Sequence, residues 1–95
     1  MSSTIATYIK DPSAKLDYSI DWSRWLPTGD TISAVTWSAS GVTVSASPAP
    51  SHASGVATAW LEGGTEGEDA TVTCQVTTTA GRIDERSIRV QVRGR

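Results

Sequence analysis

Phenylalanine is absent from this 95-residue chain, and cysteine, histidine and methionine each occur once, at Cys74, His52 and Met1. Each shortage removes a class of explanation. A lone cysteine forbids an intrachain disulfide, so the fold cannot depend on one, which suits a reducing cytoplasm. A lone histidine, with no second His or Cys beside it, offers neither a catalytic pair nor a metal set. No apolar run approaches the ~20 residues that span a bilayer. The start, MSSTIATYIK, lacks the basic and apolar regions of a secretory signal. A soluble chain with no membrane partner is expected. Net charge is −2 with a pI near 5.1, which gives no general attraction to nucleic acid.

What is present points to β-structure. Ser, Thr, Val and Gly dominate, and β-branched side chains fit a pleated surface. The length suits one domain over residues 1–95. Charge is distributed unevenly. Residues 60–71 hold Glu62, Glu66, Glu68 and Asp69 and no cation, whereas residues 82–95 hold Arg82, Arg86, Arg89, Arg93 and Arg95 against Asp84 and Glu85. Two readings stand: complementary charge on neighbouring loops and strands, or an arginine-rich edge that docks on an acidic partner.

Residues 1–4 read as a flexible start, and Ile5 to Lys10 as a short strand with Ile5 and Ile9 on one face. Asp11-Pro12-Ser13 is a turn. Lys15 to Trp22 alternates without a fault, with Leu16, Tyr18, Ile20 and Trp22 on the core face. Ser23 to Leu26 forms one helical turn capped by Asp21 or Ser23, and Pro27 ends it. Thr31 to Ser38 is a strand with a bulge between Ile32 and Val35, where the period-2 phase slips. Val42 to Ala46 is a short strand. The Ser/Pro-rich stretch 47–55 reads as a loop, because two prolines disfavour a central strand. Strands at Val56–Leu61, Ala70–Thr78 and Ile83–Arg93 follow. About seven strands with regular turn signals predict an all-β, Greek-key β-sandwich of immunoglobulin or fibronectin type without a disulfide. A small β-barrel is the alternative.

No residue set is assigned catalysis, a cofactor or a metal. Cys74 falls on an apolar strand face and reads as core. Glu68-Asp69 and Asp84-Glu85 are neighbours on strands, so each pair points to opposite faces. Gly63-Gly64-Thr65-Glu66-Gly67 has no lysine and no following helix, which excludes a phosphate loop. Trp22 and Trp37 fall on core faces. Trp25 and Trp60 are left as the tryptophans able to face a ligand or partner.

The run KDPSAKLDYSIDWSRWLPTGDTI, with Thr36-Trp37 shortly after, resembles small tailed-phage proteins of the fiber–tail adaptor or virion structural type. Their pattern is K-D-P, then L-D-Y-x-I-D-W-x-x-W-L, then G-D-T-I and T-W. The stretch AWLEGGTEGEDATVTCQVTTTAGRIDERSIRVQV is similar to the same family's later segments. Together these cover most of residues 8–93. Ala70 stands where the family carries an aromatic residue, and Pro48–Gly55 has no counterpart. The resemblance implies a non-enzymatic virion protein with an Ig-like fold, made and assembled in the host cytoplasm. It would be carried in several copies as a ring at the tail or neck, and would join the tail to fibres or neighbouring ring proteins. Edge strands and arginine–aromatic pairs are the natural contact surfaces, so Ile5, Tyr8, Arg24, Trp25, Arg89 and Arg93 are the candidate interface residues. The isolated chain is then expected to be monomeric or weakly associating. The alternative is a carbohydrate-binding accessory module using Trp25 or Trp60.

Overall fold

A computed structural model of the chain describes residues 3–94. Its strands are β1 (Ser3–Lys10), β2 (Leu16–Asp21), β3 (Ile32–Ser40), β4 (Thr43–Val44), β5 (Ser51–Ala53), β6 (Val56–Glu62), β7 (Asp69–Thr78) and β8 (Ile83–Val92). One sheet has the order β1-β8-β7-β3; the other has β2-β6, with β4 and β5 both on the side of β6 away from β2. Because β4 and β5 share one edge, eight segments amount to seven strand positions. The first strand has left its hairpin neighbour to lie parallel to the last, β1 beside β8. This is an immunoglobulin-type sandwich. Among the described residues there is no helix.

The core follows from alternation. Ala57, Ala59 and Leu61 of β6 and Val72, Cys74 and Val76 of β7 point inward and are fully covered, as do Ile88, Val90 and Val92 of β8. The small side chains of β6 let the two sheets approach, and Trp22 fills one end. In antibody domains a tryptophan on the third strand packs beside a disulfide between the second and sixth strand positions. Here Trp37 of β3 lies opposite Cys74 of β7, and Ile20 of the second strand with Trp22 just after it stands in place of a thiol. Volume substitutes for the cross-link, and Cys74 stays free and buried.

Several expectations meet corrections. Ser3 and Thr4 belong to β1 and pair with Arg86 and Ser87; residues 1 and 2 lie outside the described residues. Ile5 and Ile9 do share one face, as expected, and it is the solvent face, while Ala6, Tyr8 and Lys10 lie opposite the inward Ile88, Val90 and Val92. The stretch 47–55 is not loop throughout. Ser51–Ala53 pairs with β6 and closes a tight hairpin through Ser54 and Gly55, both at positive φ. Three residues are too few to show a period, so the strand left no signal. The predicted bulge in β3 is present, as a register shift between Ile32 and Ala34.

Gly41 explains the departure at Ala70. A Cβ built on Gly41 would stand 3.0 Å from the Ala70 Cβ. The β3–β4 turn therefore occupies the space an aromatic side chain at position 70 would need.

Candidate functional site

The sequence proposed contacts at three places: the first strand, the turn after β2, and the arginines of β8. The turn is held by its own backbone. The Ser23 N–H donates to Asp21 Oδ1 at 2.8 Å, and the N–H groups of Trp25 and Leu26 donate to the Trp22 carbonyl at 3.0 and 3.1 Å. This is the predicted helical turn, with Asp21 as its cap. The bonds from the Ser23 side chain and backbone hold the Asp21 carboxyl below its usual range against the opposing effect of burial, with smaller help from Arg24 and Arg86.

The turn sets Trp25 edge-on to Trp22, with ring centroids 5.2 Å apart and planes at 70°. The Arg86 guanidinium lies 4.3 Å from the Trp22 ring centroid. Arg86, Trp22 and Trp25 thus form a layered plug at one end of the sandwich. Trp22 is fully buried and Trp25 half-buried, whereas Arg24 is exposed beside them. Sequence reasoning missed Arg86, because an inward arginine looks like any other strand charge until its aromatic partner is placed.

The first strand presents a different surface. Ile5, Tyr8 and Ile9 are exposed. Tyr8 meets Tyr18 of β2 edge-to-face at 5.2 Å, where the edges of the two sheets come together. Among the described residues no strand pairs with β1 on the side away from β8. Arg89 is exposed on the outer face of β8, directly across from Thr7, and no ion pair holds it among the described residues. Arg93 differs. It is half-buried, and it reaches Asp69 at 3.3 Å and the Glu68 and Val92 carbonyls. The complementary-charge reading accounts for Arg93, and also for Arg82, which pairs with Asp30 at 3.0 Å.

Lys10 ends β1, and although charged it has no exposed surface. Its ammonium donates to the carbonyls of Asp11 at 2.9 Å and Gly63 at 2.7 Å. Burial pulls its pKa below the ordinary lysine value, and the charges of Asp11 and Glu62 oppose that pull. Lys10 pins the acidic β6–β7 loop to the end of β1. Val92 contributes to the same junction, because a Cβ on Gly64 would come within 2.9 Å of its Cγ2.

A cleft of about 640 Å³ runs between the turn after β2 and the β5–β6 hairpin, with Leu26, Pro27, Ile32 and His52 on its walls. His52 is exposed there, and none of the four tryptophans lines the cleft. Trp60 points to the outer face of the second sheet, since Leu61 takes the inward position. Trp25 and Trp60 are each half-buried and lie on different surfaces, so they do not form one flat aromatic platform. Among the described residues no group of three or more His, Cys, Asp or Glu could hold a metal ion. Asp30 and the acids 66–69 sit at opposite ends of β7. Among the described residues no helix is long and apolar enough to cross a membrane.

Residues 10–91 match the family model described as podophage GP4 fiber-tail adaptor protein gp77. No curated protein matches the chain.

Proposed function

We propose that this chain, which belongs to the podophage GP4 fiber-tail adaptor family, is a non-enzymatic virion protein that couples the tail to its fibres by protein–protein contact. The family match over residues 10–91 carries this reading. The site geometry supports it, because exposed apolar and arginine side chains lie on rigid strands and not around a reactive centre. The chain is made in the host cytoplasm and is carried in several copies around the tail, without nucleic acid in its contacts. Two surfaces do the work. One is the β1 side, with Ile5, Tyr8 and Arg89, and Arg93 at the strand end beyond it. The other is the plugged end, where Arg24 stands exposed beside Trp25.

Particles assembled without this chain test the reading. They are expected to carry tails without fibres, and added purified chain is expected to restore fibre attachment in electron micrographs. Arg24→Glu with Trp25→Ala should lower that restoration at least about tenfold, a loss of about 1.4 kcal/mol in binding. Fibres attaching equally well without the chain would overturn the proposal.

A further inference from the structure

Among the described residues five large apolar side chains stand exposed, and four of them lie along one side of the sandwich: Ile5 (49%), Tyr8 (38%) and Ile9 (48%) on β1, and Leu16 (45%) at the start of β2. Soluble proteins usually blunt a sheet edge with charge, proline or cover. Three of the four edges follow that rule. β2 carries Asp17 and Asp21 on its outer face, both exposed. The β4/β5 edge is interrupted by the stretch that holds Pro48 and Pro50. β3 runs against β4 and β5 of the other sheet. The β1 edge is the exception. Its sequence STIATYIK has one charge, and that lysine is turned inward onto the Asp11 and Gly63 carbonyls.

The bare edge has a readable pattern. From Ala6 to Lys10 the ladder to β8 is unbroken, since the register shift lies before it, between Thr4 and Ala6. Ile5, Thr7 and Ile9 stand on the outer face of the sheet, and Tyr8 points to the inner face, where it meets Tyr18. Leu16 shares the Tyr18 face of β2, so Tyr8 and Leu16 border the opening between the two sheet edges. Arg89 lies directly across from Thr7 on the outer face, exposed and in no ion pair among the described residues. Thr7 is short and leaves the way from Arg89 to the edge open.

We infer that the β1 edge takes an extended segment of a different virion protein as an added strand, and that this segment carries a carboxylate between two apolar residues on its outer face. The added backbone continues the ladder beyond β1, and its alternate side chains select the partner. Strands lie about 4.8 Å apart, so the new strand runs about 10 Å from β8. Arg89, extended over Thr7, meets a glutamate that reaches back from the position opposite Thr7. The residues two places to either side of that glutamate lie against Ile5 and Ile9. Those between turn inward, one against Tyr8 and Leu16 at the mouth of the sandwich, the other beside Ala6. The segment therefore reads apolar–apolar–Glu–apolar–apolar. A basic residue at the middle position would set two like charges together and select against that partner. This rests on the reading of the β1 side as a contact surface, and it leaves Arg24 and the plugged end free for a second virion protein.

The probe is the end-capped peptide KIVEVIK, whose side chains read the same in either strand direction. It is titrated into the full chain and followed by amide NMR shifts. The expected result is saturable shifts centred on β1, β8 and the start of β2, with a dissociation constant between about 10 µM and about 1 mM. Arg89→Glu should weaken binding about tenfold. The peptide KIVKVIK should bind the native chain as poorly, and should recover binding to Arg89→Glu. Ile9→Lys gives an independent block of the edge; Arg89 and Ile9 are both exposed, so folding should be unchanged in either variant. No saturable shift up to about 1 mM would overturn the inference. So would binding indifferent to Arg89→Glu, a charge swap that recovers nothing, or shifts centred on the cleft beside His52. Shifts that appear on concentrating the chain without peptide would give the edge to a second copy and overturn it as well. The peptide is read on the purified chain and fibre attachment on particles, so failure of one leaves the other standing.

Discussion

Trp22 is the largest fully buried side chain among the described residues, and its removal has a calculable cost. It has no exposed surface, it sits under Arg86 at 4.3 Å, and it receives the edge of Trp25 at 5.2 Å. Replacing a buried tryptophan by alanine removes about 3–5 kcal/mol through lost transfer energy and the cavity left behind. The stacked arginine adds about 0.5–1 kcal/mol, and the aromatic pair a similar amount. Part of these two is already counted in the truncation, so about 4–6 kcal/mol is the working value. A domain of this size holds only about 5–14 kcal/mol in all. Trp22→Ala should therefore bring the chain close to unfolding at room temperature. Trp22→Phe, which keeps most of the volume, should cost about 1–2 kcal/mol. At about 4–8 °C per kcal/mol, its melting point falls by about 4–16 °C. Urea unfolding followed by far-ultraviolet circular dichroism measures both, because the signal does not depend on the tryptophan removed. A cycle with Arg86→Gln should return a coupling of about 0.5–1 kcal/mol. If Trp22→Ala costs less than about 1 kcal/mol, the end of the sandwich is not closed as described and the reasoning fails.

Other features give sharper single tests. Ala70→Tyr should destabilise by about 1–3 kcal/mol through overpacking against Gly41, and pairing it with a shortened β3–β4 turn should recover part of the loss in the same urea assay. Gly64→Ala should cost about 1–3 kcal/mol, since its φ of +105° and its approach to Val92 both exclude a Cβ. Burial pushes the Cys74 thiol up to about 11, with the Trp22 indole opposing slightly; labelling by a thiol reagent at neutral pH should therefore proceed only as fast as the chain opens. Burial raises the Asp30 pKa, but the bonds from Thr78, Ala80, Thr31 and Arg82 together outweigh it and leave the carboxyl below the ordinary aspartate range. A depressed carboxylate gives stability that is present above the unfolded value and lost as pH falls through the folded one. Asp30→Asn should flatten the acid limb of a stability–pH curve below about pH 4 and leave its shape near neutrality unchanged.

The fold was legible where alternation ran long. Lys15 to Trp22 and Ala70 to Thr78 showed their faces plainly, and the phase slip in β3 announced its bulge. Short or irregular pieces hid. The strand Ser51–Ala53 has no period to show and depends on β6 for its existence. β1 was placed correctly, but its core face was not legible: two isoleucines face solvent while a lysine is buried. Alternation cannot tell which face is the core when a neighbouring loop offers carbonyls to a charge, as Gly63 does for Lys10. The candidate residues divide for a similar reason. Arg89 and Arg93 share a strand pattern, but only Arg93 has an acid within reach, and that depends on where β7 begins. Arg86 stayed out of view because its role is set by a ring from the other sheet.

The parallel pairing of β1 with β8 also determines how the sandwich carries a load. Ser3 aligns with Arg86 and Lys10 with Val92, so the start of β1 and the end of β8 lie at opposite ends of one ladder. Tension drawn between those two points slides the strands along each other and strains the evenly spaced bonds of a parallel pair together. The same force across an antiparallel hairpin would open its bonds one after another. A chain pulled through these two strands yields all at once or not at all, and Lys10, bonded to the Gly63 carbonyl at the far end of β1, adds its own anchor to the last rung.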